Sequence, residues 1–171
     1  MSEKISTEGK PLEIERKFLI DYPDRKQLES MHNAAIVKII QYYFDTENEK
    51  KLRIRRWEEN GKEKFFFTRK TRITDAVRIE EEREITKEEY ETFLNSPVTN
   101  VKCISKTRYR FPYNSRTVEV DFFPFWDDRA IAEVELERED EQVILPPELN
   151  VIREVTSDSR FTNYSMAKPL L

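Results

Sequence analysis

Glycine is almost missing from this chain. Of 171 residues, only Gly9 and Gly61 are glycines. A phosphate-binding loop made of backbone amides needs several glycines to let the chain approach its ligand, so that device is excluded. Any phosphate must be met by side chains. Histidine is as scarce: His32 stands alone, which excludes a multi-histidine metal centre. A histidine triad would rest on it entirely, and the expectation is a surface residue near a helix end. The one cysteine, Cys103, excludes an intramolecular disulfide and fits a reducing compartment. No apolar run approaches the roughly 20 residues of a membrane span or the length of a signal peptide, so a cytoplasmic protein without a membrane partner is expected. No large basic excess exists either, with 30 bases against 34 acids, and nucleic acid is not an expected partner.

What is present is charge of both signs, at 37% of residues, beside an equal 37% of hydrophobic residues. Eleven Phe, seven Tyr and two Trp argue against a disordered chain. The length suits a single domain over 1–171 with a real core, of which 1–10 is expected to be a flexible N-terminal extension. Alternation with period 2 predicts strands near 12–20, 36–45, 51–58, 63–72, 77–85, 102–112, 116–125 and 129–138. Asn60-Gly61 marks a hairpin turn between the third and fourth. A short helix is expected at 24–32 and a better one at 86–96, where Thr86 and Glu89 have capping-box spacing and Pro97 follows. A turn or helix is expected at 159–167, and "LPPELN" at 145–150 reads as a loop. The fold class is mainly β, within α+β: one antiparallel sheet or barrel with a few peripheral helices.

Residues at i, i+2 and i+4 of a strand share a face. That rule groups Glu13, Glu15 and Lys17; Arg53 and Arg55; Thr68 and Lys70; Arg78, Glu80 and Glu82; Lys106, Arg108 and Arg110; Glu119 and Asp121; Glu133 and Glu135. One reading is a half-exposed sheet with a solvated outer face. The other is a barrel with these faces inward, an acidic wall against a basic wall. Buried charge of that density needs partners. Paired carboxylates take hard cations such as Mg²⁺ or Mn²⁺, and Arg and Lys take phosphate oxygens. Such a barrel also needs cover for its apolar outside, and only two or three helices are on offer.

The ordered set of motifs resembles the CYTH superfamily, the triphosphate tunnel metalloenzymes. "EIERK" at 13–17 matches the E-x-E-x-K signature, and "RIR" at 53–55, "TRK" at 68–70, "RIEEE" at 78–82, "KTRYR" at 106–110, "EVD" at 119–121 and "AEVELE" at 132–137 follow in family order. "REVTSDSRFTNYSMA" at 153–167 resembles the C-terminal segment of bacterial members, and the match spans about 12–167. The resemblance implies an eight-stranded antiparallel barrel open as a tunnel. It implies metal ligation by Glu13, Glu15, Glu133 and Glu135, with Asp121 also a candidate. Glu80, Glu82 and Glu119 are further acids for metal, water or orientation of the bases. It implies a small-molecule triphosphate held by Lys17, Arg53, Arg55, Lys70, Arg78, Lys106 and Arg108, with Arg160 closing the tunnel. Lys106 is a candidate to orient or deprotonate the attacking water, with Glu13 and Glu15 sharing the catalytic role through metal. Tyr43 or its neighbour Tyr42 matches a tunnel tyrosine. The expected activity is metal-dependent hydrolysis of inorganic tripolyphosphate. The alternatives are a class IV adenylyl cyclase, a thiamine or nucleoside triphosphatase, and a non-catalytic polyphosphate or nucleotide binder. A homodimer is compatible with all of these.

Overall fold

The computed structural model describes residues 12–170, so the expected extension at 1–10 lies outside the described residues. The chain runs β1 (Leu12–Asp21), α1 (Arg25–His32), β2 (Ala35–Asp45), β3 (Leu52–Glu59), β4 (Lys62–Arg72), β5 (Val77–Ile85), α2 (Lys87–Asn95), β6 (Thr99–Tyr113), β7 (Arg116–Phe122), β8 (Arg129–Glu135), β9 (Val151–Glu154), a 3-10 turn (Ser159–Phe161), α3 (Asn163–Met166) and β10 (Lys168–Pro169). Local chemistry sets the breaks. Asn60 (φ 50°) and Gly61 (φ 74°) both take positive φ, which matches the right-handed twist of the β3–β4 hairpin. Thr86 and Glu89 form the anticipated capping box on α2. Pro124, with no N–H to donate, follows the end of β7, two residues past Phe122.

The strands pair antiparallel in the order β6-β2-β3-β4-β5-β1-β8-β7, and β7 returns to β6. Eight strands therefore close into a barrel. The β1–β5 seam is short, from Leu12↔Ile79 to Ile14↔Val77, and beyond it β9 takes over that edge of β1. β10 lies on β6 at Lys102 and Cys103. Neither of these two added strands was foreseen, because four and two residues are too few to show alternation.

Directly paired residues point to the same face of a sheet. The register links Glu13 to Arg78, Glu15 to Glu135, Lys17 to Glu133, Glu119 to Glu133, Asp121 to Arg108, and Arg53 to Thr68. Lys70 pairs with Glu80, and Lys106 with Ile39. All the charged faces thus belong to one interior, and the solvated-sheet reading is set aside.

The outside is apolar and covered by two helices and a loop. Ile14, Ile20, Val118, Val120, Ala132 and Val134 pack under Leu28 of α1 and under Val143, Leu145 and Leu149 of the 136–150 loop. Phe44, Leu52, Ile54, Phe65, Phe67 and Ile85 pack under Tyr90 and Phe93 of α2. Truncating buried Leu28 to Ala would cost about 2–5 kcal/mol, the usual range for such a core residue. A third cluster lies inside: Leu19, Ile104, Phe123 and Ile131 meet Val155 and Ala167 and fill one end of the barrel. His32, expected on the surface, is instead tucked in: it pairs with Glu148 and stacks on Phe111 at 4.4 Å, tying α1 to the covering loop. Among the described residues no helix is long and apolar enough to cross a membrane.

Candidate active site

The interior encloses a cavity of about 340 Å³. Nine Lys and Arg side chains line it against four Glu. The lining divides in part by strand: an acid from β8, bases from β6, β3 and β4, and both signs from β1 and β5. Lys17, Arg53, Arg55, Lys70, Arg78, Lys106 and Arg108 all line the cavity, as do Glu13, Glu15 and Glu133.

The bases are not equally satisfied. Arg108 donates from Nε to Asp121 Oδ1 at 2.7 Å and from Nη2 to Oδ2 at 2.9 Å, with Glu119 at 2.9 Å from Nη1. Lys106 Nζ donates to Asp121 Oδ2 at 2.8 Å and to Asn163 Oδ1 at 3.1 Å. Arg53 and Arg55 share Glu82 at 3.4 and 2.9 Å, but their buried Nε atoms have no hydrogen-bond partner. Buried N–H donors of a guanidinium without acceptors are costly, and a bound anion relieves that cost. Burial and the adjacent Arg53 charge lower Arg55 to about 10, which leaves it charged at neutral pH. Burial and the Arg108 charge push Lys106 down to about 8, against the pull of Asp121 and Glu133.

The carboxylates sit among cations. Lys17 Nζ lies 3.5 Å from Glu133 and 3.7 Å from Glu15. Lys70 Nζ lies 2.8 Å from Glu13 and 3.7 Å from Glu80. Burial disfavours both ammonium groups, yet these carboxylates outweigh it and raise their pKa values. Among the described residues no group of three or more His, Cys, Asp or Glu is assembled as a ready ligand set. Across β1 and β8 Glu15 pairs with Glu135 and Lys17 with Glu133, which puts carboxylates of the kind a hard divalent cation takes on one wall, interleaved with a base and not assembled as a set.

A second space of about 620 Å³ opens toward the other end and shares Glu13, Arg55 and Glu80 with the first. Its sign is reversed, with Glu13, Glu59, Glu80, Glu82, Glu119 and Glu135 against Arg55, Lys64 and Arg110. Glu135 belongs to this acidic mouth. Trp57 and Phe66 point inward there, and Arg55 lies over both rings at 5.5 and 5.7 Å.

Two expectations are corrected. Asp121 is fully buried behind Lys106 and Arg108, and both its oxygens are taken by those bases, so it holds the basic wall and does not face the cavity as a metal ligand. Arg160 turns to solvent with 78% of its side chain exposed, held by Asp158 through Nε and Nη2. The C-terminal segment does cover the cavity, but through Thr156, Ser157, Ser159 and Asn163–Ser165. Tyr43, not Tyr42, faces inward; it accepts a hydrogen bond from Gln41 at 2.7 Å and meets Tyr164 edge-on at 5.3 Å. Lys51 and Arg72 also line the cavity and were not foreseen. Both follow the inward alternation, Lys51 with Arg53 and Arg55 and Arg72 with Thr68 and Lys70, so extending each face by one step would have found them. The tail's polar residues carried no periodic signal to separate them from a surface coil.

These features have counterparts. The CYTH domain model matches residues 11–162. An inorganic triphosphatase of Acetivibrio thermocellus is 31% identical over 156 residues, spanning 91% of this chain and 93% of that protein. The crystal structure of the inorganic triphosphatase NE1496 is 26% identical with a TM-score of 0.51, covering 91% of this chain and 93% of the other. The PH1012 protein of Pyrococcus horikoshii OT3, 24% identical, shares the fold with a TM-score of 0.55 over 74% of this chain and 80% of its own. A closed eight-stranded barrel, charged within and matched over nearly its whole length, places the chain in the CYTH family.

Proposed function

We propose that this protein is a divalent-metal-dependent triphosphatase that hydrolyses inorganic tripolyphosphate to pyrophosphate and phosphate within the barrel. One observation carries the proposal: nine cationic side chains line a 340 Å³ cavity whose lining offers four carboxylates, with Glu82, Glu119 and Asp121 pairing some of these bases from outside it. A linear triphosphate supplies the missing negative charge and acceptors for Arg53 and Arg55. Support comes also from the name of the relatives, inorganic triphosphatase.

Arg53, Arg55, Lys70 and Arg108 hold the phosphate oxygens and fix the chain in line, so that positioning and charge stabilisation supply most of the rate. Glu13, Glu15, Glu133 and Glu135 would hold Mg²⁺ or Mn²⁺, which neutralises phosphate charge and polarises water when bound. Lys106, with its pKa near 8, is partly neutral at working pH and accepts a proton from the attacking water. The water oxygen bonds to the terminal phosphorus. The bond from that phosphorus to the bridging oxygen breaks, and pyrophosphate leaves with the oxygen. The second water proton stays on the new phosphate.

A nucleoside triphosphate is the second reading, favoured by the inward Trp57 and Phe66, which offer aromatic faces at the acidic mouth. A panel of tripolyphosphate, ATP, thiamine triphosphate and pyrophosphate, each with Mg²⁺ and with Mn²⁺ and with products identified, separates the two. Phosphate and pyrophosphate from tripolyphosphate are expected. Activity on nucleotides alone would replace the first reading with the second.

A further inference from the structure

We infer that Asn163 is a positioning residue that aims the lone pair of Lys106 into the cavity, an inference resting on the proton-accepting role proposed for that lysine. A neutral amine has two N–H bonds and one lone pair, tetrahedrally arranged. Lys106 Nζ meets two acceptors in the structure, Asp121 Oδ2 at 2.8 Å and Asn163 Oδ1 at 3.1 Å. When both N–H groups are engaged, rotation about the last carbon–nitrogen bond is fixed, and the lone pair takes the remaining direction. Asp121 holds from behind, being fully buried, while Asn163 reaches over from the tail on the cavity side. With one acceptor alone, the amine would turn freely about that bond and present N–H as often as lone pair.

Asn163 is itself held firmly for a residue in a four-residue helix. Thr162 caps that turn by accepting from Ser165 N at 3.1 Å, and Ala167 N donates to Asn163 O at 2.9 Å. The next residue, Tyr164, is clamped from β6 and from the β2–β3 connection: Lys102 donates to its carbonyl at 2.8 Å and lies 4.1 Å from its ring centre, and Lys51 lies 4.6 Å from the same ring. Three hydrogen bonds and two cation–ring contacts therefore set one amide against one amine. The charged groups facing that amine are Arg108 on its own strand, Asp121 on β7 and Glu133 on β8; β2 presents Ile39 across the register.

The test is the pH dependence of kcat/KM and kcat for tripolyphosphate in the full-length protein. Asn163→Asp places a carboxylate on the ammonium, so the rising limb attributed to Lys106 should move up by a unit or more, with near-full activity restored at high pH. Asn163→Ala should lower kcat by about tenfold with KM within twofold and move the limb slightly down. Unmoved limbs in both variants, with any loss of activity shared equally between kcat and KM, would overturn the positioning role. Lys106→Arg is the separate control: if its profile keeps the wild-type limb, the proton-accepting role of Lys106 fails first. If the limb vanishes there yet does not move in Asn163→Asp, only the role of Asn163 fails.

Discussion

Lys106 and Asp121 form an ion pair sealed from solvent, with Nζ 2.8 Å from Oδ2 and side chains 2% and 0% exposed. The same carboxylate holds Arg108, so one acid anchors two bases of the cavity wall. Removing one partner of a buried pair strands the others. Asp121→Asn should therefore lose about 3–5 kcal/mol of stability at neutral pH, read from urea unfolding. Its bases hold the Asp121 carboxyl well below its ordinary value of 3.8, even though burial alone would raise it. The contribution is thus present above that value and fades as pH falls toward the depressed one, so the gap between variant and wild type should narrow in acid. A gap under about 1 kcal/mol at pH 7, in the range of an exposed pair, would contradict the anchoring role.

Lys106 should dominate the pH profile. The amine accepts a proton only when neutral, so kcat/KM should rise with pH through a limb near 8. Bound triphosphate adds negative charge and favours the ammonium, so the limb in kcat should lie higher than in kcat/KM. Lys106→Ala should lower kcat by a factor on the order of 10² or more, the usual range for such a group. A flat profile between pH 6 and 9 would remove Lys106 from proton transfer.

Most of this architecture is legible as alternation. Seven of the eight barrel strands show a charged inner face in their alternation, and these faces converge once the register closes; β2 instead presents Ile39, Gln41 and Tyr43 inward. The outer cover was not legible: the 136–150 loop buries Val143, Leu145 and Leu149 without helical period. Within the site, strand residues were found and tail residues were not. Asn163 and Tyr164 reach the cavity because caps and cation–ring contacts turn a short coil, and such contacts leave no trace in spacing. Asp121 shares its face with the cavity acids, yet lies beneath two longer basic side chains, a difference of depth that a face assignment does not contain.

Inner and outer charges should separate cleanly. Arg16 lies outside, pairing with Glu154 at 2.5 and 2.8 Å in partial exposure, and Arg16→Ala should leave turnover unchanged and cost under about 1 kcal/mol. Arg55→Met should raise KM by about tenfold or more, as expected when a charge-assisted contact of roughly 1.5–3 kcal/mol is lost. Its unfolding midpoint should hold, since an incompletely paired buried charge is removed. Equal kinetic effects of the two substitutions would mean that the register slips by one residue.

The proposed metal dependence is tested by chelation and by the carboxylates assigned to it. With excess EDTA, turnover should fall to background and return with Mg²⁺ or Mn²⁺. Glu13→Gln and Glu135→Gln should each lose most activity while keeping the fold, measured by circular dichroism and activity together. Wild-type turnover in both would make these glutamates bystanders.

Steady-state kinetics on tripolyphosphate and ATP under one metal, with products identified, tests the central claim most directly. On the proposed reading the basic chamber would meet phosphate oxygens, which both compounds share, and tripolyphosphate has the more negative free end. Hydrolysis of tripolyphosphate to equal amounts of pyrophosphate and phosphate is expected, with kcat/KM at least equal to that for ATP. A preference for ATP of tenfold or more, about 1.4 kcal/mol of transition-state binding, would place a nucleoside on Trp57 and Phe66 and contradict an inorganic substrate. Cyclic AMP among the products would contradict hydrolysis itself.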